Sequence, residues 1–577
     1  MKPLGKRLLL VSFIAAFGLL ASPASAASQN TVIYSDNDIY HPVYAPKGMV
    51  ATQEALASKA GLTILKKGGN AVDAAVAVGF ALAVTVPRAG NIGGGGFMMI
   101  YNAKTGKTVA LDYREKASGK AFRDMYLDDE GEVVKVRSRF HGLAVGVPGT
   151  VAGLTKALRA YGTMSLPEVM APAIKMAEEG IVVTPDLYNS LIALEKRLKK
   201  WPSSAKVFYK GDAYYQIGDI IKRPGLANTL KAIAEQGRDA FYQGHIAEKI
   251  AATVTAAGGL MTVQDLADYQ AVVREPVTGT YRGYQVVSMP PPSSGGTHIV
   301  QILNILEGYP IKAWQHNSAT TIHYMAEAMK LAYADRSKFL GDSDFAKIPV
   351  KGLTSKKYAT SLREQITALA RPASDIAPGK PLPYESNETT HFSIVDKYGN
   401  AVANTYTLNF SYGTGMIAGD TGILLNNEMD DFSAKPGVPN AYGLIGGAAN
   451  AVEPNKRPLS SMSPTIVLKN GKPFLVTGSP GGSRIITTTL QIIMNVIDHD
   501  MNIAAASNAV RIHDQWLPDE IRIEKGLNID TIRALEKMGH KVVVKPVMGS
   551  TQSIMKTDEG WFGASDPRRT GALTIGY

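Results

Sequence analysis

The stretch Thr389-Thr390-His391-Phe392-Ser393-Ile394-Val395-Asp396-Lys397-Tyr398-Gly399-Asn400-Ala401-Val402-Ala403-Asn404-Thr405-Tyr406-Thr407-Leu408-Asn409 reads as two strands joined by a three-residue loop. β-branched and aromatic residues fill both arms, and Gly399 supplies the positive-φ position that such a loop needs. With Asp396 facing Asn400, the numbers in each opposing pair sum to 796, so Thr389 is expected opposite Thr407. Taken alone, two threonines across a strand pair are unremarkable, because threonine is common in strands.

Outward from this hairpin the pattern alternates. Short β-type runs at 465–468 and 474–477 are separated by glycine turns, and helical periodicity returns at 485–497 and 529–538. Upstream, residues 70–86 are nearly all Ala, Val, Leu and Phe, a run too short for a membrane span and suited to a buried helix that Pro87 stops. Gly93 to Gly96 then lead into the apolar run 97–101, as for a strand covered on both faces, where glycine allows backbones to approach closely. From about 148 to 370 the pattern is mainly helical and reads as scaffold. Thr262 and Asp265 frame a capping box there, and 324–340 carries an amphipathic repeat ending at Gly341. Ser293 and Ser294 lie in a proline- and glycine-rich break without the G-x-S-x-G elbow of a serine nucleophile, so a rigid loop is expected. Residues 377–383 are proline-rich and expected to be exposed. Strands between helical layers give an α/β fold, with no internal repeat.

Composition narrows the function classes. Hydrophobic content of 45% and charged content of 19% exclude a disordered chain. The formal charge is +11, of which Lys2, Lys6 and Arg7 contribute three, leaving +8 beyond the first 26 residues. That mild excess, with no basic block interleaved with aromatics, gives nucleic acid no support as a partner. The basic start, the apolar run 8–20 and Ala24-Ser25-Ala26 form a secretory leader expected to be cut after Ala26. The protein is therefore expected to be exported, to the periplasm or alternatively the medium, without a stable membrane anchor. There is no cysteine for a disulfide or a lipid anchor. The ten histidines show no metal-ligand spacing, so neither a metal nor any other cofactor is expected.

Several motifs in order make the chain resemble the gamma-glutamyltranspeptidase family from about residue 40 to its end. They are Glu388-Thr389-Thr390-His391, Thr407-Leu408-Asn409, Asn426-Asn427-Glu428-Met429-Asp430-Asp431-Phe432, Pro458-Leu459-Ser460-Ser461-Met462-Ser463-Pro464-Thr465 and Gly478-Ser479-Pro480-Gly481-Gly482-Ser483. The resemblance implies the four-layered αββα fold of N-terminal-nucleophile hydrolases, built from two self-cleaved subunits. It also implies autocleavage between Glu388 and Thr389, giving a large subunit 27–388 and a small catalytic subunit 389–577 that remain together as a heterodimer. The chemistry needs that cut: a threonine hydroxyl is a weak nucleophile at neutral pH, whereas a free α-amine of pKa roughly 8 on the same residue can serve as its base.

By the same resemblance Thr389 is the nucleophile, Thr407 a hydroxyl bonded to it, and the amides of Gly481 and Gly482 the oxyanion hole. Arg114, with Ser460 and Ser461, is expected to hold the α-carboxylate of a γ-glutamyl group, and Asn409, Glu428 and Asp431 its α-amine. Some relatives carry Gln where Glu388 or Glu428 stands. Residues 436–447 resemble a lid loop, with Tyr442 shielding the acyl-enzyme. His391 is expected to order the hairpin. The implied substrates are glutathione and other γ-glutamyl compounds, with water or an amino acid or dipeptide as acceptor. A β-lactam acylase of the same superfamily, acting on glutaryl or cephalosporin side chains, and a non-catalytic exported amino-acid-binding protein remain as alternatives.

Overall fold

A computed structural model describes residues 38–377, 388–435 and 447–577. The leader, nearly all of the proline-rich loop and Tyr442 lie outside these residues. Two seven-stranded antiparallel sheets stack face to face. In one, the strands run Val43–Ala45, Trp561–Ser565, Gln552–Lys556, Lys472–Thr477, Thr465–Lys469, Tyr284–Ser288 and Val277–Tyr281. In the other the order is Leu573–Gly576, Met49–Thr52, Glu388–Val395, Ala401–Asn409, Gly95–Asn102, Lys107–Tyr113 and Val272–Arg274.

Alternation along the strands builds three cores. In Gly95–Asn102, Phe97 and Met99 face the other sheet and meet Val287, Ile466, Val476 and Ile554, whereas Met98 and Ile100 point away onto helices. A strand buried on both faces has to be apolar without interruption, which is why 97–101 shows no polar alternation. The helices on that outer face include Ala55–Lys66, Ala71–Thr85 and Thr150–Tyr161. Ala71–Thr85 is buried throughout and starts at a capping box of Asn70 and Asp73. The opposite outer face, lined by Val286, Val467 and Leu475, is covered by Gly295–Leu306, Ala319–Phe339 and Arg484–Ile497. The order of layers is αββα, as the resemblance implied. Both sheets draw strands from before and after residue 388. Residues from both segments therefore share the buried cores, where each aliphatic or aromatic side chain contributes roughly 1.5–3 kcal/mol.

Two expectations are corrected. The stretch expected to be helical scaffold contributes Val272–Arg274, Val277–Tyr281 and Tyr284–Ser288 to the two sheets. These strands are only three to five residues long, too short to show a period of two against the helical segments around them. The helix expected to be amphipathic, Ala319–Phe339, is instead buried nearly all round, including His323, Glu327, Lys330 and Asp335. Its polar residues pair with one another and with neighbouring segments inside the fold.

The hairpin keeps its expected register from Val395↔Ala401 to Thr390↔Tyr406 and turns through Gly399 at φ 89°. At its open end the register slips, and Glu388 pairs with Asn409. Thr389 therefore sits at a β-bulge rather than squarely opposite Thr407. Asn409, at φ 70°, bends the partner strand away there.

Candidate active site

Thr389 is 6% exposed, at the start of its strand, where the neighbouring strand Met49–Thr52 pairs only with Phe392–Val395. Thr407 Oγ1 accepts a hydrogen bond from the Asn409 amide at 2.8 Å. Its carbonyl accepts from Asn91 Nδ2 at 2.8 Å and lies where a side chain on Gly94 would be, 2.0 Å from an added Cβ. The tetraglycine is thus needed for close packing against the hairpin. His391 contacts the Thr405 and Ser393 hydroxyls at 2.8 and 3.1 Å, within the hairpin as expected. Its ring also fills the space over Gly478, where an added Cβ would come within 2.4 Å. That contact sets the loop 478–483 against the strand that begins at Thr389.

Gly481 and Gly482 in this loop adopt φ 136° and 61°, which side-chain-bearing residues rarely take. Their carbonyls accept from the Arg484 and Ile485 amides at 3.3 and 3.0 Å, at the start of the helix Arg484–Ile497. Among the described residues neither glycine N–H has an acceptor of its own. Two adjacent donors held by a rigid turn can stabilise a developing negative oxygen.

Arg114 follows the strand Lys107–Tyr113 and is fully buried. Its guanidinium pairs with Glu428 and Asp431, lies 3.5 Å from Glu115, and donates to the carbonyls of Pro458 at 3.2 Å and Leu459 at 3.1 Å. The sequence placed Arg114 and the two acids at opposite ends of one ligand; the structure brings them into direct contact. Ser460 and Ser461 do not touch Arg114 through their hydroxyls. Ser460 Oγ accepts from the Met462 amide at 3.1 Å, and the Ser460 carbonyl accepts from the amide and the hydroxyl of Ser294, each at 2.8 Å. Ser294 Oγ in turn accepts from Arg336 Nε at 2.9 Å. Ser293 Oγ donates to the Met462 carbonyl at 2.8 Å, so Ser293 and Ser294 both brace the 458–463 loop, consistent with a rigid connection.

One cation faces three acids in a water-poor pocket, and their titration reflects it. Burial pushes the Glu428 carboxyl up to about 8 against the pull of Arg114, and the Glu115 carboxyl up to about 7. The same cause holds Asp431 well above the usual range. Four oxygens around the pocket, Glu428 Oε2, Asp431 Oδ1 and both of Glu115, are buried with no hydrogen-bond donor among the described residues, and so is Asn409 Oδ1. Buried acceptors left unsatisfied cost about 1–3 kcal/mol each. Glu428 Oε2, Asp431 Oδ1 and Asn409 Oδ1 match in number the three N–H bonds of an ammonium group.

Asn426 and Asn427 stand in the motif before Glu428, and their task becomes visible only in the fold. Asn426 Oδ1 accepts from the Gly146 and Glu428 amides at 2.9 and 3.0 Å, and its Nδ2 donates to the Gly93 and Gly146 carbonyls, each at 2.8 Å. Asn427 O accepts from Asn409 Nδ2 at 2.9 Å, and its Oδ1 from the Phe410 amide at 3.0 Å. Together they fix the Glu428–Asp431 turn to the tetraglycine and to the hairpin end. Asn450 donates to Asp431 O at 2.7 Å and accepts from the Leu459 amide at 3.0 Å, joining that turn to the serine loop. Asn450 and Glu115 were missed as well; the position of Glu115 beside Arg114 was the one available signal.

Comparison with known proteins is in keeping with this geometry. The family model described as Gamma-glutamyltranspeptidase matches residues 57–576. The chain is 57% identical to the "Glutathione hydrolase proenzyme" of Escherichia coli (strain K12), covering 97% of each chain. Among solved structures it is similar to a cephalosporin acylase from Bacillus halodurans, with TM-score 0.81 and 31% identity over 94% of this chain and 98% of that one. It is also similar to the gamma-glutamyltranspeptidase of Helicobacter pylori, with TM-score 0.55 and 48% identity, covering 56% of this chain and 93% of that one.

Proposed function

The chain belongs to the gamma-glutamyltranspeptidase family and is an enzyme of the glutathione hydrolase type; from that premise we propose that Thr389 carries the reaction and that the pocket around Arg114 takes the γ-glutamyl group. The Thr389 hydroxyl first attacks the carbonyl of Glu388, the peptide bond shifts to an ester, and water releases the α-amine of Thr389. That amine then accepts the hydroxyl proton as Thr389 Oγ attacks the γ-amide carbon of glutathione. The tetrahedral oxygen points to the Gly481 and Gly482 amides. The C–N bond breaks, the leaving amine takes the proton, and a γ-glutamyl ester remains. Water, or the amine of an amino acid or dipeptide, resolves it.

The observation that carries this reading is the pairing of Arg114 with Glu428 and Asp431 beside three unpartnered acceptors. A γ-glutamyl group is a zwitterion at its α-carbon. Its carboxylate replaces an acid on Arg114, and its ammonium satisfies the acids so displaced, so binding exchanges ion pairs without leaving a buried charge alone. A glutaryl group has the carboxylate but no ammonium, and would leave Glu428 and Asp431 unpaired. The site therefore supports a γ-glutamyl donor over a glutaryl one. Release of p-nitroaniline from γ-glutamyl and glutaryl anilides by the same preparation tests this. A preference of at least about a hundredfold for γ-glutamyl is expected from a polar contact left unmade in a buried site; equal rates, or a glutaryl preference, would move the assignment to an acylase.

The raised carboxyls give a pH dependence. A proton on Glu428 removes the charge that an ammonium seeks, so ligand binding favours the ionised form and KM falls as pH rises through the range of about 7 to 8. In Glu428→Gln this fall in KM should flatten. Identical KM profiles in the two proteins would exclude Glu428 from amine recognition.

The mature enzyme is proposed as residues 27–388 and 389–577 held as a heterodimer, about 39 and 20 kDa at the mean residue mass of the chain. Export through the leader at 1–26, to the periplasm, is proposed from the basic start, the apolar run 8–20 and Ala24-Ser25-Ala26. Tyr442, in the loop 436–447, completes the proposal as part of a lid that shields the acyl-enzyme from water.

A further inference from the structure

We propose that His323, Glu327 and His540 form a binding site for a divalent cation of the zinc class, which clips the large segment to the small one away from the catalytic pocket. One ligand-type atom from each of the three lies within 4.8 Å of the others, and all three residues are buried. His323 and Glu327 are four residues apart on the helix Ala319–Phe339 and so share a face. His540 arrives from 217 residues away, which is why spacing in the sequence gives no sign of the site. It follows the helix Ile529–Lys537, whose end is closed by Met538, Gly539 at φ 96° and the His540 amide donating to the Leu535 carbonyl at 3.1 Å. The third ligand is therefore held by backbone.

The protonation pattern prepares the pair for a metal. His323 Nε2 sits 2.7 Å from the Thr367 carbonyl, which can only accept, so Nε2 carries the proton and Nδ1 offers a lone pair. A carbonyl on the far nitrogen of a ligating imidazole is the usual supporting contact at metal sites. His323 Nδ1 faces His540 Nε2 at 2.7 Å. Two nitrogens bound to one tetrahedral zinc at about 2.0–2.1 Å stand roughly 3.3 Å apart, so a small separation of the rings admits the ion in place of the shared proton. That proton moves from Nε2 to Nδ1 of His540, which keeps the ring neutral.

Charge favours the exchange. Lys330 is held by Glu327 at 3.0 Å, Asp519 at 3.2 Å and the Arg371 carbonyl at 2.9 Å. The carboxylates of Glu327 and Asp519 thus outnumber the one ammonium between them, and a divalent ion meets the excess. Two imidazoles and a carboxylate suit zinc or cobalt(II) better than calcium or magnesium, which prefer oxygen throughout. The fourth position falls to water.

The test uses the whole, processed protein, stripped with a chelator and titrated with cobalt(II). One equivalent should give the visible d–d bands of a nitrogen- and oxygen-bound ion, and zinc should displace it and raise the thermal midpoint. Glu327→Gln and His540→Ala should each weaken cobalt affinity by at least about tenfold, ligand loss costing no less than loss of a supporting contact, and abolish the zinc-dependent shift. Absence of d–d bands in the wild-type protein at one equivalent reduces the cluster to a histidine–histidine hydrogen bond and overturns the site. Should His540→Ala fold poorly, Glu327→Gln carries the comparison, and an unchanged affinity there overturns it too. These readouts do not depend on anilide release, so they stand or fall separately from the assignment of Thr389.

Discussion

Thr389→Ala is expected to yield a single uncut chain that releases no p-nitroaniline from a γ-glutamyl anilide, a loss of at least about a thousandfold in rate, as for other enzymes deprived of their nucleophile. The wild-type protein should give two fragments, the smaller beginning at Thr389. Alanine removes the hydroxyl that both the cut and the catalytic step require. Thr389→Ser retains a hydroxyl on the same carbon and should still process and turn over, more slowly. Intact mass and anilide release, measured on the same preparations, separate the outcomes. An alanine variant that is cut normally would displace Thr389 from the role; one that stays whole yet releases anilide would mean that cutting and catalysis use different groups.

Arg114→Lys should raise KM for the γ-glutamyl donor by about thirtyfold to several thousandfold with a smaller effect on kcat, in line with about 2–5 kcal/mol for truncating one side of a buried charge pair. Lysine keeps the charge but lacks the planar fork that reaches Glu428, Asp431 and the carbonyls of Pro458 and Leu459 together. Arg114→Ala goes further, because three buried acids then share no cation. Those acids take up protons, so the alanine variant should be less stable at high pH than at low pH, relative to wild type: carboxyls raised above their unfolded values favour the fold below the unfolded range and oppose it as pH rises through the folded one. Steady-state KM and thermal midpoints at pH 6 and 9 check both statements. A processed Arg114→Lys protein with KM within twofold of wild type would remove the arginine from substrate recognition.

The legible parts of this protein are those in which a local pattern has one physical reading. Gly399 and the alternation around it set a hairpin with its register, because a slip of one residue would turn every buried side chain to the wrong face. The run 97–101 declared a strand with two covered faces, and the apolar run 70–86 before Pro87 declared a buried helix. The motifs from Glu388 to Ser483 carried a family resemblance, and with it the αββα order of layers, which no single strand announces. The illegible parts depend on partners distant in the chain. The strands between 272 and 288 are too short to declare themselves until two sheets offer them edges. The helix Ala319–Phe339 has the periodicity of a half-exposed helix, yet its charged residues find partners in segments up to about two hundred residues away.

The bulge at Thr389 belongs to the same class, since the pairing rule that held for six residues fails where Asn409 bends the neighbouring strand. Residue types and their order thus determined the hairpin, the buried helix, the fold family and the kinds of side chain available for the chemistry, because each rests on period, turn geometry or a motif contained within a few tens of residues. Only the tertiary structure decided that Arg114 meets Glu428 and Asp431, that Asn426 and Asn427 lock their turn to the hairpin, and that His540 reaches His323. Those contacts join residues a hundred or more positions apart in most cases, and nothing in a local pattern encodes which distant group will satisfy a buried charge until the sheets and helices have closed around it.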